Sequence, residues 1–209
     1  MTPRIDHTTT AGTFTLDGGT WEVDNNVWVV GNDEECVVID APHEAQPIID
    51  LVAGRTVRAI LLTHAHSDHV GVVNELREAF DAPAYLHPDD HVLWEMSYPG
   101  TRPDRELAEG DTISVAGIEL HVLHTPGHAP GAVCFYAPEL EAVFSGDTLF
   151  NGGPGATGRS YSDFPTIIES IRSKLLELPP DTTVHTGHGD RTSIGAEKPH
   201  LQEWIDRGH

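Results

Sequence analysis

Three histidines and one aspartate fall within six residues, in the segment HAHSDH at positions 64–69. This segment directly follows the apolar run Val57–Leu62, so it is predicted to lie in the loop at the end of a buried strand. Such side chains repel one another when charged and are costly to remove from water. A bound cation offsets that cost, because imidazole and carboxylate groups are good metal ligands. The segment therefore predicts a metal site.

Three later places in the chain share this layout of an apolar strand followed by a ligand-type residue. The segments LHVLHTPGH, AVFSGD and TTVHTGH end at His128, Asp147 and His188. Each motif alone is also compatible with a simple turn. Loops at one edge of a sheet sandwich can converge on one pocket while the sheets hold them rigid. The four segments together predict one shared metal centre.

Short apolar runs and turn signals alternate with helical patterns along both halves of the chain. This favours an α/β (α+β) fold over a doubly wound parallel sheet: a four-layer αββα sandwich of two mixed sheets with helices on the outer faces, in a single domain of residues 1–209. Strands are predicted at Thr13–Leu16, Val27–Val30, Cys36–Ile39, Val57–Leu62, Ala84–Leu86, Thr112–Val115, Ile118–Leu123, Ala132–Tyr136, Ala142–Phe144 and Thr182–His185. Helices are predicted after Pro42 up to Gly54 and at Val70–Phe80, Asp89–Met96, Pro165–Leu178 and Pro199–Arg207, with loops at Tyr98–Pro103 and Asn151–Ser160.

The charge balance argues against a nucleic-acid partner, because 33 acidic residues face 12 basic ones and the net charge is −21. The N-terminal residues lack the pattern of a signal peptide, and no apolar run has the length of a membrane span. Cys36 and Cys134 lie in apolar strand-like runs and are expected to be reduced, buried thiols. We therefore expect a cytoplasmic protein with no membrane partner, and a homo-oligomer stays open.

The motifs THAHSDH, TPGH, SGDTLF and GHG occur in this order between positions 63 and 189. With the four motifs in this order, the chain resembles the metallo-β-lactamase fold superfamily. Within that superfamily it resembles the glyoxalase II-like (hydroxyacylglutathione hydrolase-like) hydrolases. The resemblance implies two divalent metal ions, and ligands without a thiolate suit zinc, with iron or manganese left open. The resemblance implies that His64, His66 and His128 bind one metal, that Asp68, His69 and His188 bind a second, and that Asp147 bridges both.

The same resemblance implies a binuclear hydrolase of ester or thioester bonds, with an acyl-thiol as its small-molecule substrate and with Asp68 and Asp147 as catalytic residues. A departing thiolate needs no strong general acid, since its conjugate acid has a pKa of about 8.5. Only 21 residues follow His188, so we expect a compact form without the C-terminal helical domain that holds glutathione. The thiol carrier, whether glutathione, mycothiol or another, stays open. Arg159 and Tyr161 are candidates for the mouth of the substrate site.

Other functions within the superfamily remain as alternatives. Persulfide dioxygenases share most of these ligands but bind a single iron. Lactonases commonly carry a tyrosine soon after the bridging aspartate, where this chain has Leu149 and Phe150. Class B β-lactamases often use a cysteine in place of Asp147, and nucleases are disfavoured by the charge. A non-catalytic metal-binding module is disfavoured by a complete ligand set with a place for water.

Overall fold

The computed structural model describes residues 2–208. A first sheet contains six strands in their chain order, of which the first three are antiparallel neighbours and the next three are added in parallel. Its strands are β1 Arg4–Leu16, β2 Gly19–Gly31, β3 Glu35–Ile39, β4 Thr56–Leu61, β5 Ala84–Leu86 and β6 Arg105–Glu106.

A second sheet has the strand order β14-β13-β10-β9-β8-β7, in which only β10 and β13 pair in parallel. Its strands are β7 Thr112–Val115, β8 Ile118–His124, β9 Val133–Ala137, β10 Ala142–Gly146, β13 Thr183–Thr186 and β14 Thr192–Ser193, and a separate ribbon joins β11 Leu149–Phe150 to β12 Gly153–Pro154. Both sheets mix parallel and antiparallel pairs, so this part of the predicted architecture is confirmed.

Within residues 2–208, seven short α-helices and several single turns connect the strands. The α-helices are α1 Ala45–Val52, α2 Ser67–Val70, α3 Val73–Phe80, α4 His91–Ser97, α5 Phe164–Ser170, α6 Ile194–Glu197 and α7 Leu201–Arg207. The single turns comprise three 3-10 turns and one π turn. The 3-10 turns lie at Pro88–Asp90, Pro138–Leu140 and Lys198–His200, and the π turn lies at Ile171–Leu175. Among residues 2–208, no helix combines the length and apolar character needed to cross a membrane.

Buried apolar side chains form three clusters that separate four layers. Strand β2 shows why, because its successive side chains point to opposite faces of the first sheet. Val27 and Val29 belong to the cluster under α1–α4, whereas Trp28 and Val30 belong to the cluster between the sheets. The third cluster packs the outer face of the second sheet against α5–α7. These layers confirm the predicted αββα sandwich.

The first hairpin is much longer than the sequence pattern predicts. Strands β1 and β2 have 13 residues each and pair over their whole length, whereas only Thr13–Leu16 and Val27–Val30 were expected to be strands. The outer part of β1 is rich in threonine and carries no apolar run. Threonine favours extended backbone, and cross-strand pairing stabilises the hairpin without a buried face on both sides.

The helix predicted at Val70–Phe80 is present from Val73 to Phe80, whereas Val70 belongs to a separate helix and residues 71–72 form a break between the two. The Val72 N–H donates to the Ala41 carbonyl at 3.0 Å, and the Ala41 N–H donates to the His69 carbonyl at 2.9 Å. These bonds tie the break to the segment that follows β3. Helix α2 is thereby held as a separate turn that carries Asp68 and His69.

The helix predicted at Pro165–Leu178 is present in part. Helix α5 begins at Phe164, where the Asp163 side chain accepts a hydrogen bond from the Thr166 N–H at 2.9 Å. After Ser170 the helix widens into the π turn, which ends at Leu175. The two-residue strands β6, β11, β12 and β14 were not predicted, because elements of this length leave no periodic signal.

Candidate metal centre

The seven predicted ligands lie at the ends of four strands. His64 and His66 follow β4, and the adjoining helix α2 carries Asp68 and His69. His128, Asp147 and His188 follow β8, β10 and β13, which run in the same direction in the second sheet. The centre therefore draws its side chains from both sheets of the sandwich.

Three of the histidines form a first group. His66 Nδ1 lies 3.0 Å from His64 Nε2 and 3.0 Å from His128 Nε2. All three rings are buried. The other ring nitrogen of His66, Nε2, is buried and has no hydrogen-bond partner. Three nitrogens meeting without an acceptor between them form a place for a cation.

Asp68, His69 and His188 form a second group. His188 Nε2 lies 3.3 Å from His69 Nε2 and 3.3 Å from Asp68 Oδ2, and the latter atom is 3.6 Å from His69 Nε2. Asp68 and His69 are buried, and the His188 side chain keeps 24% of its surface exposed. The partial exposure of His188 leaves this group open to the cavity above it.

Asp147 lies between the two groups. Its Oδ2 is 3.5 Å from His128 Nε2 and 3.3 Å from His188 Nε2, and its Oδ1 is 3.3 Å from His69 Nε2. That Oδ1 is buried without a hydrogen-bond partner. A Cβ at Gly187 would come 2.2 Å from it, so only glycine fits beside this carboxylate.

The donor set fits two divalent cations. Five imidazole nitrogens and two carboxylates without a thiolate suit zinc, iron or manganese. Zinc–nitrogen bonds of about 2.0 Å in a tetrahedron place neighbouring ligand atoms about 3.3 Å apart. The separations within the two groups run from 3.0 to 3.6 Å and match this spacing.

Backbone carbonyls fix the ring orientation of two ligands. His128 Nδ1 donates to the Ala156 carbonyl at 2.8 Å, and His188 Nδ1 donates to the Asp24 carbonyl at 2.7 Å. A proton held on Nδ1 leaves the Nε2 lone pair free to face a metal. The site is thus supported from the loop after β12 and from strand β2.

Asp40 supports both groups at once and was missed by the sequence analysis. His69 Nδ1 donates to Asp40 Oδ2 at 2.9 Å, and the Thr63 hydroxyl donates to the same oxygen at 2.9 Å. That hydroxyl in turn accepts from His64 Nδ1 at 3.1 Å. Asp40 has a φ of 65°, a rare conformation for a residue other than glycine. It also ends an apolar strand, which is the layout that identified Asp147.

Asn25 is a second residue that the sequence analysis missed. Its Nδ2 donates to Asp68 Oδ2 at 3.1 Å and lies 3.2 Å from His69 Nε2 and 3.4 Å from His188 Nε2. Its Oδ1 is 2.8 Å from His43 Nε2, which fixes the orientation of the amide. The only sequence signal is an asparagine pair before an apolar run, which is too common to identify a site.

Asp90 joins two of the ligand loops. Its buried carboxylate accepts the Ala65 N–H at 2.7 Å, between His64 and His66, and also the Gly131 N–H, three residues after His128. Burial raises the pKa of Asp90 to about 7, against the lowering effect of these two bonds. The two loops of the first group are therefore held by one side chain.

The preferred protonation states differ between the two halves of the centre. Burial lowers the pKa of His66 to about 3, so its ring is neutral and presents a lone pair. Burial also opposes charge on His188, but the carboxylates of Asp147 and Asp68 outweigh it and raise the pKa of His188 to about 10. Burial alone would raise the pKa of Asp68, yet the charge of His69 and the hydrogen bond with His188 lower it to about 2. The carboxylates around the second group thus favour a positive charge there.

A cavity of about 400 Å³ opens above the centre, and five of the ligands line it. Of the two loop residues predicted at its mouth, Arg159 lines this cavity. Tyr161 does not: it is 46% exposed, has a φ of 69°, and lies outside the lining residues.

A separate group contains His87, Asp89 and His124. The two rings stack with their centroids 3.9 Å apart. His124 Nε2 donates to the Pro130 carbonyl at 3.0 Å, and His87 Nδ1 accepts the Asp89 N–H at 3.3 Å. Because both nitrogens already have backbone partners, this group differs from the centre described above.

An αββα sandwich with a cluster of histidines and aspartates at one end of its sheets defines a class of metallo-hydrolases. The chain belongs to the metallo-beta-lactamase superfamily, whose family model matches residues 20–188.

Two relatives show which members of this superfamily the chain is similar to. The chain is 38% identical to the probable metallo-hydrolase YqgX of Bacillus subtilis, over 80% of this chain and 86% of that protein. It is 34% identical to the hydroxyacylglutathione hydrolase GloC of Haemophilus influenzae, with the same coverage of 80% and 86%.

Two crystal structures show the same fold. One is TTHA1623 in a di-iron-bound form, with a TM-score of 0.76 and 41% identity, covering 84% of this chain and 93% of that chain. The other is the B3 metallo-beta-lactamase BLEG-1, with a TM-score of 0.76 and 34% identity, covering 92% of this chain and 98% of that chain.

Proposed function

We propose that this protein is a binuclear metal-dependent hydrolase that cleaves thioesters of small acyl-thiols. The observation that carries the proposal is the position of Asp147, whose carboxylate lies 3.3–3.5 Å from imidazoles of both groups. A carboxylate can serve two cations at once, whereas a single imidazole nitrogen cannot. The similarity to a hydroxyacylglutathione hydrolase supports a thioester as the substrate.

In this proposal each group would hold one cation, and Asp147 would serve both. His64, His66 and His128 would hold the first, and Asp68, His69 and His188 would hold the second. When bound, such cations would lower the pKa of a water and polarise a carbonyl group. We propose zinc as the resident metal on the basis of the nitrogen and oxygen ligands, and the di-iron form of TTHA1623 makes iron the second metal to test.

The protein's own side chains have two further tasks in this reaction. Asp68 lines the cavity, where its carboxylate would accept a hydrogen bond from the attacking water and so orient it. Asn25 donates to that carboxylate and keeps it in place. The departing thiolate has a conjugate acid with a pKa of about 8.5, so it leaves without a strong general acid.

The test is release of free thiol from a panel of acyl-thiols, followed optically with the zinc-loaded and the iron-loaded protein. A lactone and a β-lactam complete the panel, the latter because BLEG-1 is a B3 metallo-beta-lactamase. We expect thiol release to exceed the other two activities. If the protein opened lactones or β-lactams and left every thioester intact, the thioesterase proposal would be wrong. Oxygen consumption with one iron per chain would instead identify a dioxygenase.

A further inference from the structure

The end of the β1–β2 hairpin next to its turn, residues 12–23, has one apolar face and one polar face. Phe14 pairs with Trp21 across the hairpin, and Gly12 pairs with Val23. Because side chains alternate along a strand, apolar residues gather on one side and polar residues on the other. The apolar face contains Phe14, Leu16, Trp21 and Val23, and the polar face contains Thr13, Thr15, Thr20 and Glu22.

None of the four apolar residues belongs to the three core clusters. All four line the cavity that contains the predicted metal ligands, with Phe150 from strand β11 as a fifth apolar member. The Trp21 side chain keeps 39% of its surface exposed. An apolar face of this kind is costly in water unless a ligand covers it.

The wall is held in place next to the metal ligands. The Phe14 ring lies 5.0 Å from the His66 ring and 5.6 Å from the Trp21 ring. The Arg159 guanidinium covers Trp21 at 3.6 Å from the ring centroid. Among residues 2–208 this arginine forms no ion pair within 4 Å, and its Nη1 is buried without a hydrogen-bond partner. Stacking on the ring thus accounts for its position.

We infer that this wall binds the acyl group of the substrate, and that the preferred substrates are thioesters of apolar acyl groups of medium length. The inference rests on the proposed function and names the substrate class of the same site. The scissile carbonyl must reach the metal ligands, and the wall begins one ring away from His66. Thiol carriers built from peptides or sugars are polar, so the hydrocarbon of the acyl group complements this face better. A volume of about 400 Å³ is near the lower end for ligand pockets, which limits the chain length.

The first experiment varies the acyl group on a single small thiol, from acetyl to octanoyl, with lactoyl as the polar comparison. We expect kcat/KM to rise about fourfold for each added methylene until the pocket is filled, as burial of a methylene in an apolar site implies. The inference would be overturned if kcat/KM stayed constant or fell with increasing acyl length, or if the lactoyl thioester were preferred over the apolar ones.

The second experiment removes the wall with Trp21→Ala, and Glu22→Ala on the opposite face of the hairpin serves as the matched control. We expect the alanine variant at position 21 to flatten the dependence on acyl length while the metal content stays that of wild type. The control keeps the full dependence. An unchanged dependence in Trp21→Ala would contradict the inference.

The third experiment does not depend on hydrolysis. Trp21 is the only one of the four tryptophans with a substantial exposed surface, since Trp28, Trp94 and Trp204 are 1–4% exposed. Octanoate is expected to change the tryptophan fluorescence of the zinc-loaded protein, and Trp21→Phe abolishes that change. Binding of octanoate without any thioester hydrolysis would defeat the proposed function and leave the apolar site standing. Hydrolysis with a flat acyl series and no fluorescence change would defeat the apolar site alone.

Discussion

The Asp147 carboxylate lies 3.3–3.5 Å from histidine nitrogens of both groups. We expect Asp147→Ala to lower kcat/KM by at least about 100-fold and to lose at least one metal, because a directly coordinating group matters more than the residues that orient it. Metal analysis and thiol-release kinetics check this. The control is Asp181→Ala, an exposed acid that is neither one of the seven predicted ligands nor a residue lining the cavity. Near-normal turnover in Asp147→Ala would rule out a bridging role.

Asp40 orients His69 directly and His64 through Thr63. Asp40→Ala should weaken zinc binding by about 10- to 100-fold, as loss of a carboxylate behind a metal-bound histidine does. Asp40→Asn keeps one acceptor oxygen and should recover part of the affinity. A competition titration with a chelating dye measures both variants, and equal affinity in wild type and Asp40→Ala would argue against the positioning role.

His185 gives a pH dependence that is separate from the metal centre. Its ring packs between Trp28 and Phe144, and burial lowers its pKa to about 4. The unfolded chain therefore binds a proton near pH 6.5 that the folded protein does not accept until about pH 4. Stability is complete above pH 6.5 and falls by about 3 kcal/mol as the pH drops through this window.

Denaturant unfolding of metal-free wild type and His185→Phe at pH 4 to 7 tests this titration. The variant should lose this part of the pH dependence, whereas the exposed His200→Gln should follow wild type. If the free energy of unfolding changed with pH in the same way in wild type and His185→Phe, His185 would not contribute to the pH dependence.

Asp90 joins two loops that carry predicted ligands. Its carboxylate accepts hydrogen bonds from the Ala65 N–H in one loop and from the Gly131 N–H in the other. Asp90→Ala leaves two buried N–H groups without acceptors, at a cost of about 1–3 kcal/mol each. We expect lower thermal stability together with weaker binding at the first metal group. The neighbouring exposed Asp89→Ala is the control. If Asp90→Ala bound both metals like wild type, the loops would not depend on this bridge.

The elements differ in how far the sequence predicts them. Strands buried on both faces, such as Cys36–Ile39, are visible as apolar runs, and the ligands at strand ends follow from them. The break at Gly71 was not predictable, because it depends on hydrogen bonds between Val72, Ala41 and His69 that join distant parts of the chain. The outer half of β1 was missed since its threonines show no apolar periodicity. Asp40 shares the strand-end layout of Asp147 and could have been identified by it.

In the molecule as a whole, the proposed metal centre lies at the ends of strands from both sheets. His64 and His66 follow a strand of the first sheet, and His128, Asp147 and His188 follow strands of the second. A bound cation therefore links the two halves of the sandwich and is expected to stabilise the entire fold.

Removal of the metal should thus lower the melting temperature of the whole protein. At a free metal concentration 1,000 times Kd, each site contributes about 4 kcal/mol to the folded state. For a chain of this length that corresponds to roughly 10 °C per site. Calorimetry with and without a chelator measures the shift, and readdition of zinc should restore it. The same melting temperature in both samples would contradict the link between the sheets.

The most direct test of the binuclear centre is a calorimetric titration of metal-free protein with zinc. We expect the wild-type protein to saturate at two equivalents per chain, since Asp147 lies beside two groups of three predicted ligands. Saturation at a single equivalent in the wild-type protein would contradict it.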